Sequence, residues 1–282
     1  MGGCIERSVR RGGMVTMTIL LLAACGSGPG TDGTSPEDQI FTSPRVEVPT
    51  EPVIDGLFPI GDDGRLALRC WGEGSPVIVL EVGTDPLGGI SQFSSTLGPL
   101  LADATMTCTY DRLGAGLSDP APHHERTLDD LVTALHRLLE AADVPPPYVL
   151  VGSSGGGAIS IHYAGTYRDD VDGLVLLDVA APEPELAEEF PDEAGWDNEE
   201  SVDWYAMGPL LAYHRLPIAD IPVRIVTAGS SRSNVKDQSF WLRLSPLAAQ
   251  RTLEGGHVIY RDNIDGCVAQ IRAVLRAIET DG

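Results

Sequence analysis

The stretch Tyr148-Val149-Leu150-Val151-Gly152-Ser153-Ser154-Gly155-Gly156 joins four consecutive apolar residues to a turn of glycine and serine. A short continuous apolar run bounded by a turn reads as a buried strand. The residues that follow, from about Gly156 to Tyr167, are compatible with a helix. A serine on a sharp strand-to-helix turn has its Oγ thrust above the sheet, which is the geometry the G-x-S-x-G pattern encodes. The chain two residues before and two after that serine runs too close to its surroundings to carry side chains. Gly152 and Gly156 meet this requirement around Ser154. Around Ser153 it fails, because Val151 would take the first small position. The helix beginning at the turn also aims backbone N–H groups at the serine.

Outward from this turn, apolar runs alternate with amphipathic segments. Leu66–Trp71, Val77–Leu80, Met106–Tyr110, Leu174–Leu177 and Val223–Val226 join Tyr148–Val151 as expected strands. Runs this uniformly apolar indicate a mostly parallel sheet covered on both faces. Between them, Leu128, Leu131, Val132, Leu135, Leu138 and Leu139 recur at helical spacing, with Thr127 as N-cap. Val268, Ile271, Val274, Leu275 and Ile278 repeat the pattern near the C-terminus. Strand–helix alternation of this kind defines an α/β architecture with helices on both faces. The stretch from about 180 to 219 breaks it. Ten acidic residues and no Lys or Arg fall between Glu183 and Asp203, beside Trp196, Trp204 and Tyr205. That is too long for a plain connection and is expected to form an acidic lid over the C-terminal ends of the strands.

The turn in this setting, together with Tyr110-Asp111-Arg112-Leu113-Gly114-Ala115-Gly116-Leu117-Ser118, resembles the α/β-hydrolase superfamily over residues 55–280. The resemblance implies a serine hydrolase that needs no cofactor and cleaves a carboxylic ester, or less readily an amide, through an acyl-enzyme on Ser154. The general base in such proteins follows the last strand, and of the six histidines only His257, in Gly255-Gly256-His257, fits that place. His162 and His136 fall on helices. His123 and His124 are adjacent in a loop, and His214 lies at the end of the lid. The usual position of the acid, after Val223–Val226, holds no carboxylate: it reads Thr227-Ala228-Gly229-Ser230. Asp178 ends the preceding strand, where a buried charge needs a partner, and is the expected acid, with Asp237 the alternative. Oxyanion donors are expected at the backbone N–H groups of Gly155 and Thr84, although Val82-Gly83 stands where His-Gly is usual.

Export is read from the first residues. Arg7, Arg10 and Arg11 precede an apolar run from Met14 to Ala24, too short to span a bilayer at about 20 residues. Leu22-Ala23-Ala24-Cys25 resembles the lipobox of bacterial lipoproteins. The implied arrangement is a signal peptide over 1–24, a lipid on Cys25, a Gly/Pro/Ser-rich stalk over 25–50 and a catalytic domain over 51–282. The domain would then stand on the extracytoplasmic face of the cell membrane. In such an oxidising compartment Cys70 and Cys108, both on expected strands, are candidates for a disulfide. Cys267, on the apolar face of the last helix, would stay free.

The net charge of −22 disfavours partners with phosphate backbones, so no nucleic acid is expected. No zinc spacing, phosphate loop or dinucleotide fingerprint occurs, so no metal site is expected either. The partner implied is a small-molecule ester, neutral or cationic rather than anionic given the acidic lid. Lactone opening or perhydrolysis on the same fold, and a non-catalytic surface-binding lipoprotein, are the alternatives.

Overall fold

The apolar runs assemble into one eight-stranded sheet in a computed structural model that describes residues 51–182, 195–207, 218, 220–230 and 235–281. In chain order the strands are β1 (Ile54–Pro59), β2 (Arg65–Trp71), β3 (Val77–Glu81), β4 (Thr107–Tyr110), β5 (Tyr148–Ser153), β6 (Val171–Leu177), β7 (Val223–Ala228) and β8 (Ala248–Leu253). Across the sheet they run β1-β2-β4-β3-β5-β6-β7-β8. All pairings from β4 to β8 are parallel, and β1–β2 and β2–β4 are antiparallel. β5, which carries Ser154 at its end, is therefore flanked by β3 and β6, and every strand end that could reach it belongs to a parallel neighbour.

Helices α1 (Gly88–Phe93), α2 (Leu97–Leu101), α3 (Leu128–Ala141), α4 (Gly155–Thr166), α5 (Val235–Gln238), α6 (Ile259–Asp262) and α7 (Ile264–Asp281) cover the sheet. Alternate residues of a strand face opposite sides, and the core divides accordingly. Leu150, Leu174, Leu176 and Ile225 pack with α3 and α4, while Val149, Val151, Val175 and Leu177 pack with α1, α2 and α7. Thr127 caps α3 as its sequence suggests: Asp130 N donates to Thr127 Oγ1 and Thr127 N to Asp130 Oδ2, a reciprocal capping box.

Two strands go beyond those read from the sequence, and both are edges. β1 (IDGLFP) alternates exposed and half-buried residues, and no residue of β8 (AAQRTL) is fully buried. An edge strand buries too little apolar surface to show a continuous hydrophobic run. Cys70 and Cys108 face each other on β2 and β4 and are joined by a disulfide, and Cys267 is free and buried. The expected signal peptide, lipidated Cys25 and stalk lie outside the described residues, as do His214 and the lid at 183–194, 208–217 and 219.

Candidate active site

Ser154 sits between β5 and α4 with φ 51° and ψ −127°, a conformation an L-residue enters only under constraint. Its N–H donates to the carbonyl of Leu177 at 3.1 Å, which fixes the turn to the end of β6. The two glycines around it are sterically required. A Cβ on Gly152 would stand 2.6 Å from the carbonyl of Gly156, and one on Gly156 would stand 2.5 Å from the carbonyls of Glu81 and Val82. Gly83 completes the crowding, since a Cβ there would come within 2.9 Å of Ser154 Cβ.

His257 Nε2 lies 2.8 Å from Ser154 Oγ, and His257 Nδ1 lies 2.7 Å from Asp178 Oδ2. Three residues separated by 79 and 103 positions thus form one continuous hydrogen-bonded line. The imidazole is 55% exposed and the carboxylate fully buried, so the ring is open to solvent while the carboxylate is shielded from it. Asp178 occupies the single position after β6 and also has positive φ, 50°, which turns its side chain toward the histidine loop. Its other oxygen, Oδ1, accepts from Ala228 N at 2.9 Å and from Gln238 Nε2 at 2.7 Å. With the second ring nitrogen of His257 taken by Asp178, the alternative Asp237 is not needed; it lies on α5, next to Gln238. The loop carrying His257 is anchored by Gly256 N donating to Asp262 Oδ2 and Ser230 N donating to the Gly255 carbonyl.

Gly155 and Thr84 are the expected oxyanion donors. Gly155 opens α4, and Thr84 follows the Gly83 that crowds Ser154. Thr84 also lines a pocket of about 280 Å³ with Asp85, Pro86, Asn198, Glu199, Glu200, Trp204 and Tyr205. The described part of the expected lid thus forms one wall of this pocket. Trp204 closes over the elbow so tightly that a Cβ on Gly155 would come within 2.9 Å of its ring.

The loop from Asp111 to Ser118 is a brace, and its residue types have local reasons. Asp111 accepts from Ile90 N and Leu117 N. Gly88 and Gly116, both with positive φ, pass so close to that carboxylate that a Cβ would stand 2.2 and 2.1 Å from its oxygens. Gly114, at φ 86°, makes room for the Glu199 carbonyl.

A cluster that the sequence did not reveal stands beneath the pocket. Arg112 is fully buried and bonds Glu81 at the end of β3 and Glu200 in the lid segment; Tyr110 donates its hydroxyl to Glu81. Burial pushes the Glu81 carboxyl up to about 7, against the pull of Arg112 and of the Tyr110 hydrogen bond. Gln238 also escaped notice, since an amide on a short helix carries no pattern. Glu81 did carry a signal, a charge ending an apolar run, the same one that singled out Asp178.

The other described histidines stand apart from this line. His162 bonds Asp129 at 2.6 Å, and His136 stacks on Tyr167 with ring centroids 4.0 Å apart. His123 and His124 are exposed. Among the described residues no group of three or more His, Cys, Asp or Glu is arranged to hold a metal ion.

Fold and site define the class: the chain has the α/β-hydrolase fold. A family model described as alpha/beta hydrolase fold matches residues 77–206. An uncharacterized protein of Bacillus subtilis, YqjL, is 42% identical over 95 residues, which cover 33% of this chain and only 37% of that relative. Among solved structures, an esterase from Thermogutta terrifontis superposes with a TM-score of 0.61 at 19% identity, covering 80% of this chain and 99% of that one. An enol-lactonase from Burkholderia xenovorans superposes with a TM-score of 0.63 at 15% identity, covering 78% and 99%. At such identities these structures speak to fold alone.

Proposed function

We propose that the protein is a serine hydrolase that cleaves a carboxylic ester through an acyl-enzyme on Ser154. The observation that carries this reading is the unbroken line from Ser154 Oγ through the His257 ring to Asp178. In the first step His257 Nε2 takes the Oγ proton as Oγ attacks the carbonyl carbon. The negative charge that develops on the carbonyl oxygen is met by the N–H groups of Gly155 and Thr84. The imidazolium, stabilised by Asp178, gives its proton to the departing alcohol. A water molecule, deprotonated by the same nitrogen, then attacks the acyl carbon and releases the acid. Asp85 and Glu199 at the pocket favour neutral or cationic substrates over anionic ones.

A fluorophosphonate probe followed by mass spectrometry tests this. The expected result is one adduct, on Ser154, absent from His257→Ala. A folded wild-type protein that takes no adduct would return the molecule to the surface-binding alternative. The same spectra read the mature N-terminus: a diacylglyceryl-modified Cys25 as first residue is the expected anchor, and an unmodified chain retaining residues 1–24 removes that part of the reading.

A further inference from the structure

Arg112 is more than the partner of a buried acid. Its Nη1 donates to the Val82 carbonyl and its Nη2 to the Gly83 carbonyl, both at 2.7 Å. These are the two peptide units immediately before Thr84. On its other edge the same guanidinium donates from Nε and Nη2 to the two oxygens of Glu200. One face of it lies 4.6 Å from the ring centre of Trp204, the ring that covers Gly155. A planar, permanently charged fork is suited to holding several acceptors in one fixed geometry. The sheet end (Glu81), the loop before Thr84 and the lid segment (Glu200, Trp204) all meet on this one side chain.

We propose that Arg112 is a positioning residue that sets the oxyanion loop, and that Glu200 and Trp204 couple its placement to the seating of the lid segment. This rests on the serine-hydrolase reading. The peptide carbonyls of Val82 and Gly83 point at Arg112, so the chain direction into Thr84, and with it the aim of the Thr84 N–H, follows from where the guanidinium stands. Glu200 fixes the guanidinium from the lid side, and Trp204 limits its movement out of plane. An unseated lid segment would release both, and the loop would lose its register against Ser154. The buried Glu81 carboxyl gives the cluster a second, independent hold on the sheet.

The test uses the full chain in detergent with two probes, a fluorophosphonate and 4-nitrophenyl acetate. Arg112→Lys keeps the charge, but one ammonium cannot serve two carbonyls and two carboxylates in a plane. It is expected to slow phosphonylation of Ser154 on the order of 10- to 100-fold, below the 10²- to 10³-fold typical of losing an oxyanion donor outright. The kcat for 4-nitrophenyl acetate should fall in step while KM stays within about threefold. The acid limb of the pH–rate profile should not move, because the His257–Asp178 contact is untouched. Glu200→Gln should give the same signature in weaker form. Arg112→Ala removes from the buried Glu81 and Glu200 the cation that both bond and endangers folding; where it folds, added guanidinium should restore part of the rate. Wild-type rates in folded Arg112→Lys, or a loss confined to KM, overturns the positioning role while the serine-hydrolase reading stands. Failure of the wild type itself to react with the fluorophosphonate overturns both.

Discussion

The strand that carries Ser154 has two neighbours, and each ends in a buried carboxylate. β3 ends in Glu81 and β6 is followed by Asp178, with relative exposures of 2% and 1%. The two face opposite problems of solvation. Asp178 accepts from a backbone N–H and the Gln238 amide and meets the His257 ring. Glu81 faces a permanent cation, Arg112, and a phenol. Its charge is spent on structure. The same residue chemistry at equivalent strand ends thus meets a histidine ring on one side of β5 and a guanidinium on the other.

The sharpest way to break this contrast is Asp178→Asn. If the carboxylate stabilises the imidazolium and holds the ring tautomer, kcat should fall by on the order of 10⁴, as such changes do in Ser-His-Asp sites, with KM little altered. Full activity in steady-state ester hydrolysis would remove Asp178 from the proposed triad and leave both carboxylates structural.

A smaller effect is expected one bond further out. Gln238→Met keeps the volume and removes the amide that donates to Asp178 Oδ1, while Ala228 N still donates. The turnover should drop about tenfold, and thermal unfolding should report a loss of about 1–3 kcal/mol, the usual worth of a hydrogen bond to a charged group. Unchanged turnover with the stability loss intact would mean that Gln238 serves the fold and not the acid.

Glu81→Gln should be the mildest at the active site, because Arg112 keeps Glu200 and both carbonyls. Its signature is in stability against pH. The folded-state value of Glu81 lies above its ordinary 4.5, at about 7. The folded protein therefore holds this proton more tightly than the unfolded chain does. The resulting stabilisation is complete below about 4.5 and is lost as pH rises through about 7. The unfolding free energy of wild type, from denaturant titrations, should fall relative to Glu81→Gln across that window, by on the order of 3 kcal/mol at most. Parallel curves for the two proteins would show instead that Arg112 keeps Glu81 ionised throughout, and the two strand-end carboxylates would be less different than their partners suggest.

Much of the site was legible because its constraints are local. Gly152 and Gly156 are demanded by backbone approaches within a few residues of Ser154, and Asp178 stands out as a charge ending an apolar run. His257 could be chosen by the place that the family resemblance gives the base, ahead of the last helix. The partners of Asp178 could not be read in this way: Gln238 lies 60 positions from it, and in Val235-Lys236-Asp237-Gln238 the sequence pointed to Asp237 and gave no sign of the amide beside it. The edge strands β1 and β8 escaped for a related reason, since half-exposed strands lack the apolar run that revealed the six others.

By itself, then, the sequence determined the α/β layering, the strained serine turn and the candidates for base and acid, because burial on two faces and steric exclusion at glycine act on neighbouring residues. Tertiary structure decided which carboxylate meets His257 and which meets Arg112. It also decided that Glu200, 88 positions beyond Arg112, reaches back under the pocket to hold the guanidinium. Those pairings are set by the order β3-β5-β6 in the sheet and by where the lid segment returns, and a side chain's partner across such distances is fixed only once the sheet has brought their backbones together.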